Sequence, residues 1–165
     1  MGDGKRDWSD SPRRNCEKYD SDDEIITNCL PFVNPFSFDD TNREAMGQMK
    51  AWTAVLRAMS TFPDAENVQD TGFLALVMGV RSPANRDGMA RSGAVRVVLN
   101  AIALLSGSED ITWRGSSLMS MMLETADGRV LWSAAEMEET KAAAMAAMKR
   151  FPSNTRLKER CASIV

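Results

Sequence analysis

Three stretches of this chain lie over one another without a gap, and nothing else in the sequence limits its fold as much. They are residues 55–76 (VLRAMSTFPDAENVQDTGFLAL), 98–119 (VLNAIALLSGSEDITWRGSSLM) and 144–165 (AMAAMKRFPSNTRLKERCASIV), set 43 and 46 residues apart. Leu56, Leu99 and Met145 share a column, as do Met59, Ile102 and Met148, and Val68, Ile111 and Leu157 share another. The small residues Gly72, Gly115 and Cys161 fall together, and Leu76, Met119 and Val165 close the register. A polar break separates two apolar runs each time. It is marked by Phe62-Pro63 in the first stretch and Phe151-Pro152 in the third, with Leu105-Ser106 in the second. Apolar residues three and four apart predict an amphipathic helix on each side of the break. The small residue predicts that the second helix approaches a neighbour closely.

A third element precedes the pair. In SPANRDGMARSGAVRVVLNAI, Ser82-Pro83 can cap and start a short helix, and Gly93 is suited to end it. Ala94 then opens the next helix. The predicted unit is short helix, helix, helix, with a period in the low-to-mid forties.

That unit and period resemble the armadillo repeat. The phrases NRDGMARSGAVRVVLNAI and VQDTGFLAL are similar to the family's second- and third-helix wording. The resemblance covers residues 46–165 and implies an all-α fold, a short right-handed armadillo-like α-solenoid of two to three repeats. Many armadillo proteins bind extended peptides along their third helices through a repeated Trp and Asn ladder. Here the Trp column holds Leu74 and Ser117, and the Asn column holds Met78 and Met121. Methionine cannot hydrogen-bond a peptide backbone, so the resemblance does not carry that binding role over. The face the resemblance implies is instead Asp70, Leu74, Met78 and Arg81, followed by Trp113, Ser117, Met121 and Glu124. It reads as an apolar strip with charged ends, suited to an adaptable apolar contact with Trp113 as its anchor, or, if a short solenoid curls differently, as residues several of which belong to the core.

Residues 1–45 form a different region, an extended and largely irregular N-terminal arm. It carries 6 Lys/Arg and 11 Asp/Glu, against 14 and 12 in residues 46–165. Its first 24 residues are polar and cannot bury enough apolar surface to fold alone. Residues 25–40, IITNCLPFVNPFSFDD, are apolar but broken by Pro31 and Pro35. Ile25, Leu30, Phe32, Phe36 and Phe38 are the expected anchors of this segment, which is placed to cap the front of the repeats. Ser11 in SPRR fits a proline-directed kinase site, and Ser21 before Asp22, Asp23 and Glu24 fits an acidophilic one.

Composition narrows the chemistry. The chain of 165 residues has no histidine, which removes the commonest general base and metal ligand. The cysteines Cys16, Cys29 and Cys161 form no CxxC pair, so a zinc site or disulfide framework is not expected. The acidic run at Asp20, Asp22, Asp23 and Glu24 lacks the Gly and Glu spacing of an EF-hand. No catalytic constellation, cofactor or metal site is read. Neither region is basic enough for a nucleic-acid surface. No apolar run approaches 18 residues, and MGDGKRDWSD has no leader pattern, so no membrane insertion is expected.

The sequence thus points to a non-enzymatic protein–protein interaction subunit of a larger complex. A transient peptide-reading adaptor and an accessory subunit of an enzyme are the alternatives. The odd cysteine count suits an intracellular, reducing compartment, cytoplasmic or cytoskeletal, with an organelle left open. The last copy stops short of a full unit. Leu157, Cys161, Ile164 and Val165 read as an open end for a partner to cover.

Overall fold

The computed structural model describes residue 44, residues 47–123 and residues 132–165. Every regular element among them is helical: α1 (Trp52–Thr61), α2 (Glu66–Gly79), α3 (Pro83–Arg91), α4 (Ala94–Leu104), α5 (Glu109–Leu123), α6 (Ala134–Arg150) and α7 (Thr155–Ala162). The all-α class read from the sequence holds for these residues. Of the arm, only residue 44 is described. Ile25, Leu30, Phe32, Phe36, Phe38, Ser11, Ser21, Cys16 and Cys29 lie outside the described residues.

The pairs α1–α2, α4–α5 and α6–α7 fall where the aligned stretches place them, and their connections are one turn built three times. The C-cap residues Phe62, Leu105 and Phe151 share a column, with φ, ψ of −123°, 65°; −102°, 32°; and −118°, 66°. Each donates its N–H to the carbonyl of an alanine, Ala58, Ala101 or Ala147, again one column. Three residues on, the N–H groups of Ala65, Ser108 and Asn154 donate back to those C-cap carbonyls at 3.3, 2.8 and 3.2 Å. The turn is closed by backbone bonds. That is why the middle stretch dispenses with Phe-Pro.

The helices then pack in two rows in chain order. α1 lies on α4 and α4 on α6, while α2 lies on α5 and α5 on α7. Two hydrogen bonds repeat between successive pairs. Glu66, the first residue of α2, accepts from the Ser108 hydroxyl at 2.5 Å; Glu109, the first of α5, accepts from Asn154 Nδ2 at 2.6 Å. Asn154 also caps α7, accepting from the Leu157 N–H at 2.8 Å.

Close packing within the first two pairs runs through the small-residue column. A Cβ on Gly72 would stand 2.6 Å from the Met59 side chain, and one on Gly115 would stand 2.7 Å from that of Ile102. Met59 and Ile102 are themselves one column, so the neighbour that the small residue admits is the first helix of its own pair. Val68, Ile111 and Leu157 are fully buried beside it. With Phe73, Leu76, Leu118, Met119 and Met122 they form one continuous core. Each such side chain contributes roughly 1.5–3 kcal/mol of burial. Nothing in the sequence singles out Gln69, yet it is fully buried. Its Nε2 donates to the carbonyls of Met59 and Phe62, both at 2.8 Å, supplying partners for the end of α1.

The short helix α3 begins at Pro83 as the sequence predicts. Ser82 occupies its N-cap, but its hydroxyl makes no capping bond. Gly93 follows the C-cap Ser92 with φ 79°, the left-handed conformation that ends a helix and that glycine adopts without strain. Two buried polar side chains of α3 reach back to the end of α2: Asn85 Nδ2 donates to the Gly79 carbonyl at 3.3 Å and Arg86 Nε to that of Val80 at 3.1 Å. Among the described residues no helix is long and apolar enough to cross a membrane.

The far end of the two rows differs from expectation. Leu157, Cys161 and Ile164, read as open, are buried at 0%, 0% and 4% exposure, because α7 lies against both α5 and α6. Val165 alone of the four stays out, at 55%.

Candidate functional site

The outer side of the row α2–α5–α7 carries the residues that the sequence nominates for contact. On α2, Asp70 and Leu74 stand one turn apart, with Leu74 37% exposed. Met78, the next in that strip, is turned inward and only 7% exposed. Arg81, just beyond the helix, is exposed. On α5, Trp113 and Met121 are half-buried and pack against the core, while Ser117 is buried at 6%. Met78 and Ser117 therefore belong to the packed side of the face. α5 is enclosed by α2, α4 and α7, and ten of its fifteen residues are buried. That leaves only a narrow outward edge. Glu124 lies outside the described residues.

What remains outward is Leu74 on α2 and Trp113 and Met121 on α5, with one ion pair joining the two helices. Arg114 Nε meets Asp70 Oδ1 at 2.5 Å, joining α5 to α2, with both side chains partly exposed. The Arg114 guanidinium carbon is 5.9 Å from the Trp113 ring centre, at the outer limit of a cation–π contact. The Ser117 hydroxyl, buried in the same strip, has no hydrogen-bond partner among the described residues. An apolar edge with a partly exposed ion pair suits contact with another protein surface: Trp113 supplies area, and the pair joins the two helices beneath.

The alternative chemistries find less to build on. Among the described residues no group of three or more Cys, Asp or Glu is placed to hold a metal ion. A pocket lined by Trp52, Val55, Asn85 and Met89 has a volume of about 10 Å³, the room of one water. Cys161 is a core residue. Burial pushes its thiol above the ordinary value of 9.0, which the hydrogen bond with Ser116 only partly offsets. The thiol therefore stays protonated and fills the small-residue column.

Exposure along the other row separates solvated positions from positions that have lost their cover. Leu104 is 59% exposed, but its column mates Thr61 and Arg150 are exposed too, so the position faces solvent in every pair. Met145 is different. It is 51% exposed, although Leu56 and Leu99 in its column are buried.

No family model matches this chain, and neither a curated protein nor a solved structure matches it.

Proposed function

We propose that the chain is a short right-handed armadillo-like α-solenoid of two to three repeats. In this reading it acts without chemistry of its own, as a subunit docked stably in a larger protein assembly inside the cell. The arm and the Leu74–Trp113–Met121 patch make the contacts. The observation that carries the reading is the thrice-built turn, with its Glu66–Ser108 and Glu109–Asn154 bonds between successive pairs. Units that repeat a turn and stack in order bury their apolar faces only on neighbours, which is the physical basis of solenoids and of their use as extended interaction surfaces. Trp113 is the side chain of the patch best suited to a hot spot, being large, half-buried and held by α5.

The test is the native size of the full-length chain in cells that express it. The wild type is expected to sediment several-fold above its own 18.2 kDa, and a Leu74→Asp, Trp113→Ala variant to fall to that mass. Sedimentation of the wild type as an 18.2 kDa monomer would sink the reading.

A further inference from the structure

The stacked-unit reading has a geometric corollary at the α6–α7 end. Some columns are buried in the first two pairs but come out exposed or half-exposed in the third. They trace two stripes at helical spacing. On α6 the stripe is Lys141, Met145 and Met148, where the earlier pairs have Trp52, Leu56 and Met59, then Val95, Leu99 and Ile102. On α7 it is Lys158, Ala162 and Val165, where they have Gln69, Phe73 and Leu76, then Thr112, Ser116 and Met119. Each stripe is now one lysine followed by two apolar residues. Among the described residues neither Lys141 nor Lys158 forms an ion pair. The nearest acids in sequence are Glu139, which pairs with Arg96, and Glu138, a turn before Lys141, with Glu159 beside Lys158.

We propose that residues 20–38 of the same chain dock on this end face. The segment has the complementary order of chemistry: Asp20, Asp22, Asp23 and Glu24, then Ile25, Ile26, Leu30 and Phe32. Its acids suit Lys141 and Lys158, and its apolar residues suit Met145, Ala162 and Val165. The tether is long enough. Two helix-to-helix steps from α1 to α6 span about 20 Å. The twenty residues from Glu24 to Glu44 reach as far as about 65 Å. A second copy placed face to face would bring the two lysines of each stripe against a face whose stripes also begin with lysine, which like charge disfavours. Among the described residues, α1 and α2 expose one large apolar side chain, Leu74, at 37%. The arm, expected from the sequence to cap the front, thus covers the far end, and a partner that takes this face must displace it.

Zero-length carbodiimide coupling of the full-length chain tests this, because it joins only lysines and carboxylates in direct contact. Equal amounts of unlabelled and ¹⁵N-labelled chain are mixed, coupled and digested. The expected products join Lys141 or Lys158 to an acid among Asp20, Asp22, Asp23 and Glu24, with both peptides carrying the same label. In a Met145→Glu, Val165→Glu variant their yield falls about tenfold, as loss of the apolar contact and added like charge weaken docking. Both positions are more than half exposed, so helix content by circular dichroism stays unchanged. Mixed-label products would assign the face to a second copy and overturn the proposal. So would the absence of coupling at Lys141 and Lys158, or an undiminished yield in the variant. The native-size test can fail while this one succeeds, since coupling needs no partner.

Discussion

α4 and α6 stand at the same place in successive pairs, yet they are held in opposite ways. α4 has six of its eleven residues buried, among them Val95, Val98 and Ile102, whose branched side chains are indifferent helix formers. It starts at Gly93 with no side-chain cap. α6 buries only Thr140, Ala144 and Ala147 of its seventeen residues. It is rich in alanine, closes its first turn with a capping box between Ser133 and Glu136, and ends on Lys149 and Arg150 at the negative end of its dipole. A helix with neighbours on both sides can spend its sequence on packing. One with a neighbouring pair on a single side needs local devices to stay helical.

The largest expected effect sets one column of the middle pair against the same column of the last. Met119→Ala should cost about 2–5 kcal/mol, as a large buried side chain leaves a cavity. Val165→Ala should cost no more than about 1 kcal/mol, since it trims one half-exposed side chain that no helix covers. Urea denaturation of both variants measures this, and similar losses would break the comparison.

An intermediate effect concerns the close approach in the middle pair. Gly115→Ala should destabilise by about 1 kcal/mol, the overpacking against Ile102 outweighing alanine's better helix propensity. In an Ile102→Ala background the same change should stabilise by about 0.5–1 kcal/mol, since only the propensity is left. A substitution that keeps one sign in both backgrounds would show that the contact is not what excludes a side chain there.

The smallest effect belongs to α6. Ser133→Ala should weaken its first turn by about 1 kcal/mol, read as faster amide exchange there. The Ser133 hydroxyl, and after it the Ser133 N–H, hold the Glu136 carboxyl below its ordinary value of 4.5. A carboxylate lowered by folding adds stability that is complete above the unfolded-state value and is lost as pH falls through the folded-state value. The protection factor of this turn, which is its exchange corrected for the intrinsic rate at each pH, should therefore fall on acidification below 4.5 in the wild type, and much less so in Ser133→Ala. Equal pH dependence in the two would remove the capping box from the account of α6.

The inner columns were legible in the sequence because helical periodicity and helix pairing are local. Val68, Ile111 and Leu157 need only their own pair to be buried, and all three are. Gly93 was legible for a similar reason, since a left-handed residue between two helices leaves few candidates. Exposure of Met145, and burial of Met78 and Ser117, were not legible. They depend on how neighbouring pairs cover one another, and the letters in those columns stay apolar or small either way. Gln69 was invisible because its role comes from the carbonyls of Met59 and Phe62, which no side-chain pattern records. Of the strip that the resemblance implies, Leu74 and Trp113 lie on the outer edge, and Met78 and Ser117 are buried beneath it.

The bonds from Glu66 to Ser108 and from Glu109 to Asn154 also have a consequence for how this molecule comes apart. Each ties the opening residue of one helix to the residue that starts the corresponding helix of the next pair. Melting one pair therefore strips a hydrogen-bond partner from its neighbour's turn. The free energy of opening is then shared along the rows as nearest-neighbour coupling, as in a one-dimensional cooperative chain. Unfolding is expected to begin at an end pair, since α1–α2 and α6–α7 each have a neighbouring pair on one side only, and to travel inward, with α5 the last to exchange its amides.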